Sequence, residues 1–488
     1  MSLELLPNEL FYDVFEYFSS VDLFRAFNGL NSRFDQLLIE YFQIHKSIDF
    51  RLTTKEDLNL IRQRYLPLFV NDIHSLCLSD EDTNPHEIDF FLSRLYPLHR
   101  FINLQSITFY NIYSIDKVIR ILTDLQRISN LNKLNFHRCF FEYDLKKFVA
   151  IMNGIWSLVN LTHCVLDLID AGNHRLIAPT IISCSLQDLS IRGIHCGLET
   201  LSLLYEHTPH LQSLEIETAS NEDDYQSIPI SFSLNKFKLR CENSSTSLLS
   251  ILRKVPNVTN LTVETRQIEM NGQQWQNLLG QYLPILKTFH LKMKYQLIDV
   301  DDIEEKLDDI LKSYRTSFWI KQHQWFVRCF CTTENHTDFI NIHTLPYRFD
   351  QSTLCITSNE NSIFKSTCPD YDGDYFIYDH VQNLNCCCNT SEEVDLPEIR
   401  FPNVHHLTLS LPYDDYLQQL IPRFDRLTSL TIDMFTTGFD DDQLLQLQLL
   451  LDQAPRLYYI KFSSWSSVFT KTGSKNKKVI ASFPMNIS

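Results

Sequence analysis

The chain has 488 residues, 44% of them hydrophobic and 12% aromatic, which is enough apolar material for a core and too long for one small compact domain. Its formal net charge of −17, from 43 Lys+Arg against 60 Asp+Glu, repels phosphate backbones and anionic lipid, so neither nucleic acid nor a membrane surface is expected as a partner. Only 10 glycines occur, and no G-x-G-x-x-G, Walker or G-x-S-x-G arrangement is present, which speaks against the common nucleotide-binding folds.

Met1 to Leu10 carries Glu4, Pro7 and Glu9 in place of the basic and apolar regions of a signal peptide, and no run of about 18 apolar residues exists. The 13 cysteines are odd in number and scattered, which fits a reducing compartment, cytoplasmic or nuclear. In that setting the Asn160, Asn257 and Asn260 sequons carry no meaning.

Leu5-Leu6-Pro7-Asn8-Glu9-Leu10 opens a helix, with Pro7 and Glu9 both suited to its first turn. Leu10, Val14 and Phe18 recur at spacing four, with Phe11 and Phe15 widening the stripe. Further short helices are expected around Leu23, Phe24 and Phe27, then around Phe34, Leu37, Leu38 and Tyr41. Such a small bundle buries little on its own and needs a docked neighbour or partner.

The pattern Leu6-Pro7-x-Glu9-Leu10-x-x-x-Val14-Phe15-x-Tyr17-Phe18-x-x-x-Asp22-Leu23, followed by Asn31-Ser32-Arg33-Phe34, resembles an F-box over residues 2–45, with Phe34 where that family commonly has Trp. The resemblance implies a helical module that docks a Skp-family adaptor and through it a cullin ubiquitin ligase. It implies Leu6, Pro7, Leu10, Val14, Phe18 and Leu23 as adaptor-facing residues. The alternative is a helical cap on the array that follows.

From Ile73 onward the pattern L-x-x-L-x-L recurs. It begins at Ile73, Leu104, Leu131, Leu161, Leu186, Leu211, Leu234, Val258 and Leu286, and again at Val404, Leu427 and Leu457. The steps of 23 to 31 residues match the period of leucine-rich repeats. Register sharpens the pattern. Pro stands two residues before the leading position at Pro209, Pro256, Pro284, Pro402 and Pro455, and Asn one before it at Asn103, Asn130, Asn160, Asn257 and Asn403. Proline there ends a preceding helix. The helices expected upstream are Ile115–Ile128, Asp144–Met152, Thr246–Val255, Trp275–Leu283 and Asp441–Gln453.

The expected fold is therefore α/β: a three-helix F-box at 1–45, a leucine-rich-repeat solenoid (a horseshoe) over 46–292, a β-rich insertion at 293–398, last repeats at 399–470 and a polar basic tail at 471–488. An ordinary α/β domain is the competing architecture. In the insertion, an acidic run Asp299–Glu305 leads into a helix, and Ser317–Cys331 and Phe339–Leu345 alternate as antiparallel strands. It is either a substrate-contacting flap or a structural insert.

The fifth position of each repeat faces the open side of the sheet. Those residues are mostly small and neutral, and Asn135, Ser190, Glu215, Lys238 and His290 are the candidates for contacting a protein substrate. No convergent acids, bases or ligands appear among them, so no enzyme activity and no cofactor are expected. Cys329-x-Cys331 with Cys386-Cys387-Cys388 lacks the C-x-x-C knuckle of a zinc site, and Asp370–Asp374 has its glycine at the wrong place for a calcium loop. His195 and Cys196, adjacent on a strand, face opposite ways. The expected function is a substrate-recognition subunit of a Skp–cullin–F-box ubiquitin ligase, holding an unknown protein substrate; the alternative is a non-catalytic repeat scaffold without a ligase role.

Overall fold

The computed structural model describes residues 3–51, 53–80, 87–93, 97–140, 144–169, 174–219, 229–242, 244–298, 302–334, 337–357, 364–369, 377–389, 399–413, 416–433, 441–457 and 459–462. The Asp370–Asp374 motif, the Lys471–Lys478 tail and the first residues of the acidic run at 299–301 lie outside them. The protein is a mixed α/β chain that divides into two compact units: Met1–Leu261 with Tyr282–Leu286, and Thr262–Gln281 with Lys287–Ser488.

The first unit opens with helices α1 (Asn8–Phe15), α2 (Ser20–Phe27) and α3 (Ser32–His45). Ser19 and Asn31 cap α2 and α3 by accepting the N–H of Asp22 and Phe34. The bundle does not stop at residue 45. Phe24 packs on Tyr65 at 4.9 Å, Phe42 stacks on Phe69 at 5.4 Å, and the Tyr65 hydroxyl lies 2.8 Å from Asp35.

Eight strands follow: β1 (Ser47–Asp49), β2 (Ser75–Ser79), β3 (Ser106–Tyr110), β4 (Lys133–Cys139), β5 (His163–Leu168), β6 (Asp188–His195), β7 (Ser213–Ala219) and β8 (Lys236–Glu242). They pair in parallel in strict chain order. The L-x-x-L-x-L pattern is the reason. Its first, fourth and sixth residues, such as Leu104, Ile107 and Phe109 or Leu211, Leu214 and Ile216, are fully buried. Helices including Ile115–Leu125, Leu145–Trp156 and Ser245–Leu252 connect the strands, close to the expected spans, and bury one apolar face each.

Two hydrogen-bond patterns hold each strand to the one before. A single carbonyl accepts two consecutive amides from the next strand: His74 accepts Gln105 (2.8 Å) and Ser106 (2.9 Å), and Asn132 accepts Thr162 (2.9 Å) and His163 (3.0 Å). The asparagine ahead of the leading apolar residue then reaches back to the previous turn. Asn103 donates to Asn71 O at 2.8 Å, Asn130 to Ile102 O at 3.0 Å, Asn160 to Ser129 O at 2.6 Å and Asn257 to Phe232 O at 2.8 Å. Two irregularities interrupt the ladder, the first a register shift between Phe136 and Cys139 where β4 pairs β5. In β6 the register shifts between Ser190 and His195, and Gly193 sits there at φ +76°, where an added Cβ would lie 1.8 Å from Leu168 O.

The second unit takes in most of β9 (Asn260–Arg266) and then β10 (Thr288–Gln296), β11 (Phe326–Glu334), β12 (Thr337–Leu345), β13 (Gln351–Thr357), β14 (Phe364–Ser366), β15 (Asn383–Asn389), β16 (His406–Ser410), β17 (Ser429–Asp433) and β18 (Tyr459–Phe462). Strands β12, β11 and β14 are antiparallel to their neighbours, β12 pairing β10 and β11 pairing β12 and β14. Parallel pairing resumes at Gln351: β13, β15, β16, β17 and β18 form a five-stranded sheet, so two strands expected inside an antiparallel insertion are parallel. Asn403 makes the same backward bond here, to Asp379 O at 2.8 Å.

Two expectations for 317–331 need correction. Phe318–Gln322 is a helical turn, not strand, because Trp319 is buried among Tyr314, Phe318 and Trp325, with its Nε1–H on Gly272 O at 3.1 Å. The alternation expected through Phe326, Arg328 and Phe330 does not separate a wet from a dry face, since residues 325–330 are all buried. A strand flanked on both edges and packed on both faces carries no solvent signature.

Asn160→Asp keeps the shape of the side chain but replaces the donor with a carboxylate facing Ser129 O. It should destabilise by about 1 kcal/mol or more, seen as a lower thermal midpoint, with Asn160→Gln an intermediate case. An unchanged midpoint would show that the backward bond adds nothing to strand order.

Candidate protein-binding surfaces

Helix α1 presents two faces of opposite character. Phe11 and Phe15 point inward: Phe11 meets Phe34 edge-on at 5.1 Å, and Phe15 lies 4.9 Å from Phe27 and 5.4 Å from Tyr41. On the outer face Leu10, Val14 and Phe18 remain 45%, 40% and 41% exposed. Phe18 and Tyr17 lie just past the end of α1, in the turn before α2, and Tyr17 is more exposed still. Pro7 is exposed and Leu6 half-buried at its start. Leu23 is different. It is 1% exposed and belongs to the interior of the bundle, so it supports α2 from beneath and does not contribute to the outer face.

The turn before α3 positions this surface. The Arg33 guanidinium donates to Leu6 O at 2.5 Å and to Asn8 Oδ1 at 2.7 Å, reaches Glu4 O as well, and lies over the Phe11 ring at 5.5 Å. One planar cation thus ties the segment ahead of α1 to α3. The Tyr12 hydroxyl donates to Glu40 at 2.7 Å; burial, with the adjacent carboxylate, pushes its pKa up to about 12. Arg33 and Tyr17 both stand in the N-terminal motif, without being among the residues expected to face a partner.

The second surface is the open face of the parallel sheet in the first unit. Strand register aligns the fifth positions into an unbroken row: Asp49, Cys77, Thr108, Asn135, Val165, Ser190, Glu215 and Lys238 are successive partners. Four of the five candidates therefore stand in one line. The fifth, His290, is half-buried on β10 in the second unit, where burial, with Arg348 and His380 nearby, lowers its pKa to about 4 and leaves it neutral.

Within that row Asn135 donates to Thr108 Oγ1 at 3.3 Å and Ser190 to Glu215 at 2.8 Å. Glu215 is held by Arg192 at 2.8 Å and Lys238 at 2.9 Å. Burial raises its pKa, but the Arg192 hydrogen bond and the Lys238 charge outweigh that and hold it at about 2. The positions two residues before and after carry further cross-strand pairs: His163 with Asp188 at 2.9 Å, and Glu217 with Arg240 at 2.7 Å. Toward β1, Arg51 pairs with Asp49 at 2.6 Å and lies over Tyr110 at 4.5 Å, and Tyr110 stacks on His137. The face is thus richly charged, in locally compensated pairs. Reading only the fifth positions hid this, because the partners sit in the flanking rows.

Acids matched to cations on the next strand can exchange partners with a docked polypeptide while keeping a fixed register. Cys164 and Cys196 are free thiols, and burial pushes both up to about 12, so neither is a thiolate at neutral pH. Among the described residues no group of three or more His, Cys, Asp or Glu is placed to hold a metal, and no helix is long and apolar enough to cross a membrane. No protein-family model matches the chain, and no curated protein matches it.

The depressed Glu215 pKa has a stability consequence. Its folded value of about 2 lies below the ordinary 4.5, so its contribution is complete above pH 4.5 and is lost as pH falls toward 2. On the order of 3 kcal/mol is involved, at about 1.4 kcal/mol per pH unit. Denaturant midpoints of the wild type should fall across that window more steeply than those of Glu215→Gln. Equal slopes would mean that the triad with Arg192 and Lys238 does not hold in solution.

Proposed function

We propose that this chain is a non-catalytic recognition subunit of a ubiquitin ligase. The α1 face docks a Skp-family adaptor of a cullin complex, and the strand–helix array acts as a leucine-rich-repeat horseshoe that holds a protein substrate on its open sheet face. The observation that carries the reading is the outer stripe of α1. Leu10 and Val14 on α1, with Tyr17 and Phe18 in the turn that follows it, stay exposed, while Phe11 and Phe15 on the other side of the helix are packed. A contiguous apolar stripe left uncovered on a small bundle calls for a partner, and the order of residues along it is that of an F-box.

On this reading the chain supplies position in place of chemistry. Binding ligase and substrate on one chain raises their effective concentration, and the rate gain follows from that alone. The open sheet face supports it with compensated cross-strand charges rather than an unmatched acid or base.

A second reading is favoured by one observation. Ser20 Oγ accepts the Asp49 N–H at 3.1 Å, on the first strand of the sheet, and α2 and α3 pack on the helical segment that follows them. These contacts suit a cap that protects an edge strand, in which case the chain is a repeat scaffold with no ligase role.

Co-expression with a Skp-family adaptor followed by size exclusion separates the two. A stoichiometric complex lost in the triple variant Leu10→Asp/Val14→Asp/Phe18→Asp, with the fold retained, is the expected result. Leu23→Ala should behave differently, destabilising the protein by about 2–5 kcal/mol as a buried truncation. A folded wild type that ignores the adaptor would leave the scaffold reading in place.

A further inference from the structure

We draw no further inference here: the strongest candidate, the exposed apolar patch of Leu444, Leu445 and Leu449 on the helix Asp441–Gln453 that precedes β18, is an unpartnered face, and nothing in the structure shows what covers it.

Discussion

The backbone amides at the start of each parallel strand have no partner within their own strand. A single carbonyl of the preceding strand takes two of them at once, as His74 does for Gln105 and Ser106. Everything else in the first unit is arranged around keeping that register. The L-x-x-L-x-L residues fill the space between sheet and helices, and a slip of one residue would turn Leu134 and Phe136 out and Lys133 and Asn135 in. The asparagine ahead of Leu104, Leu131, Leu161 and Val258 adds a side-chain bond to the previous turn just before the strand begins. Backbone, core and capping polar group all specify the same alignment, and that agreement is what gives a sequence with so few glycines a single ordered ladder.

Because register is held this tightly, side chains on the open face stand in rows. A carboxylate such as Glu215 finds Arg192 on one neighbouring strand and Lys238 on the other without any reorganisation. Such pairs contribute modestly to stability where they are wet and more where they are enclosed. They also give the face a fixed charge pattern. The N-terminal bundle follows a different logic. Phe11, Phe15, Phe24, Phe27 and Phe34 make a compact aromatic interior, and Arg33 fastens the entering chain to it. Leu10 and Val14, on the outer side of α1, stay outside that interior.

The second unit departs from the first where the hydrophobic period breaks. Residues 326–330 along β11 and 342–345 along β12 are buried, and Phe318–Gln322 folds into a helical turn that plugs the core with Trp319. A cleft bordered by aromatic side chains such as Tyr347 and Tyr378 lies in this unit. It is assembled from residues between 264 and 401, so no local motif announces it.

The amino-acid sequence by itself determined the elements whose signal is short-range. The three N-terminal helices, the strand starts, the helix ends set by proline and the burial of every first, fourth and sixth residue from Ile73 to Leu291 were legible, because each depends on neighbours within one turn or one strand. The α/β class and the line of Asn135, Ser190, Glu215 and Lys238 followed from the same period. Only the tertiary structure decided which residues on those elements meet. Leu23, read as outward, is enclosed because α3 and the segment after it close over α2. Arg33 became a clamp only once α3 lay beside the entry to α1. The cross-strand ion pairs around Glu215 and Glu217 and the cleft around Tyr378 join residues 23 to 137 positions apart, and charge and aromatic contacts at that range carry no sequence period that could reveal them.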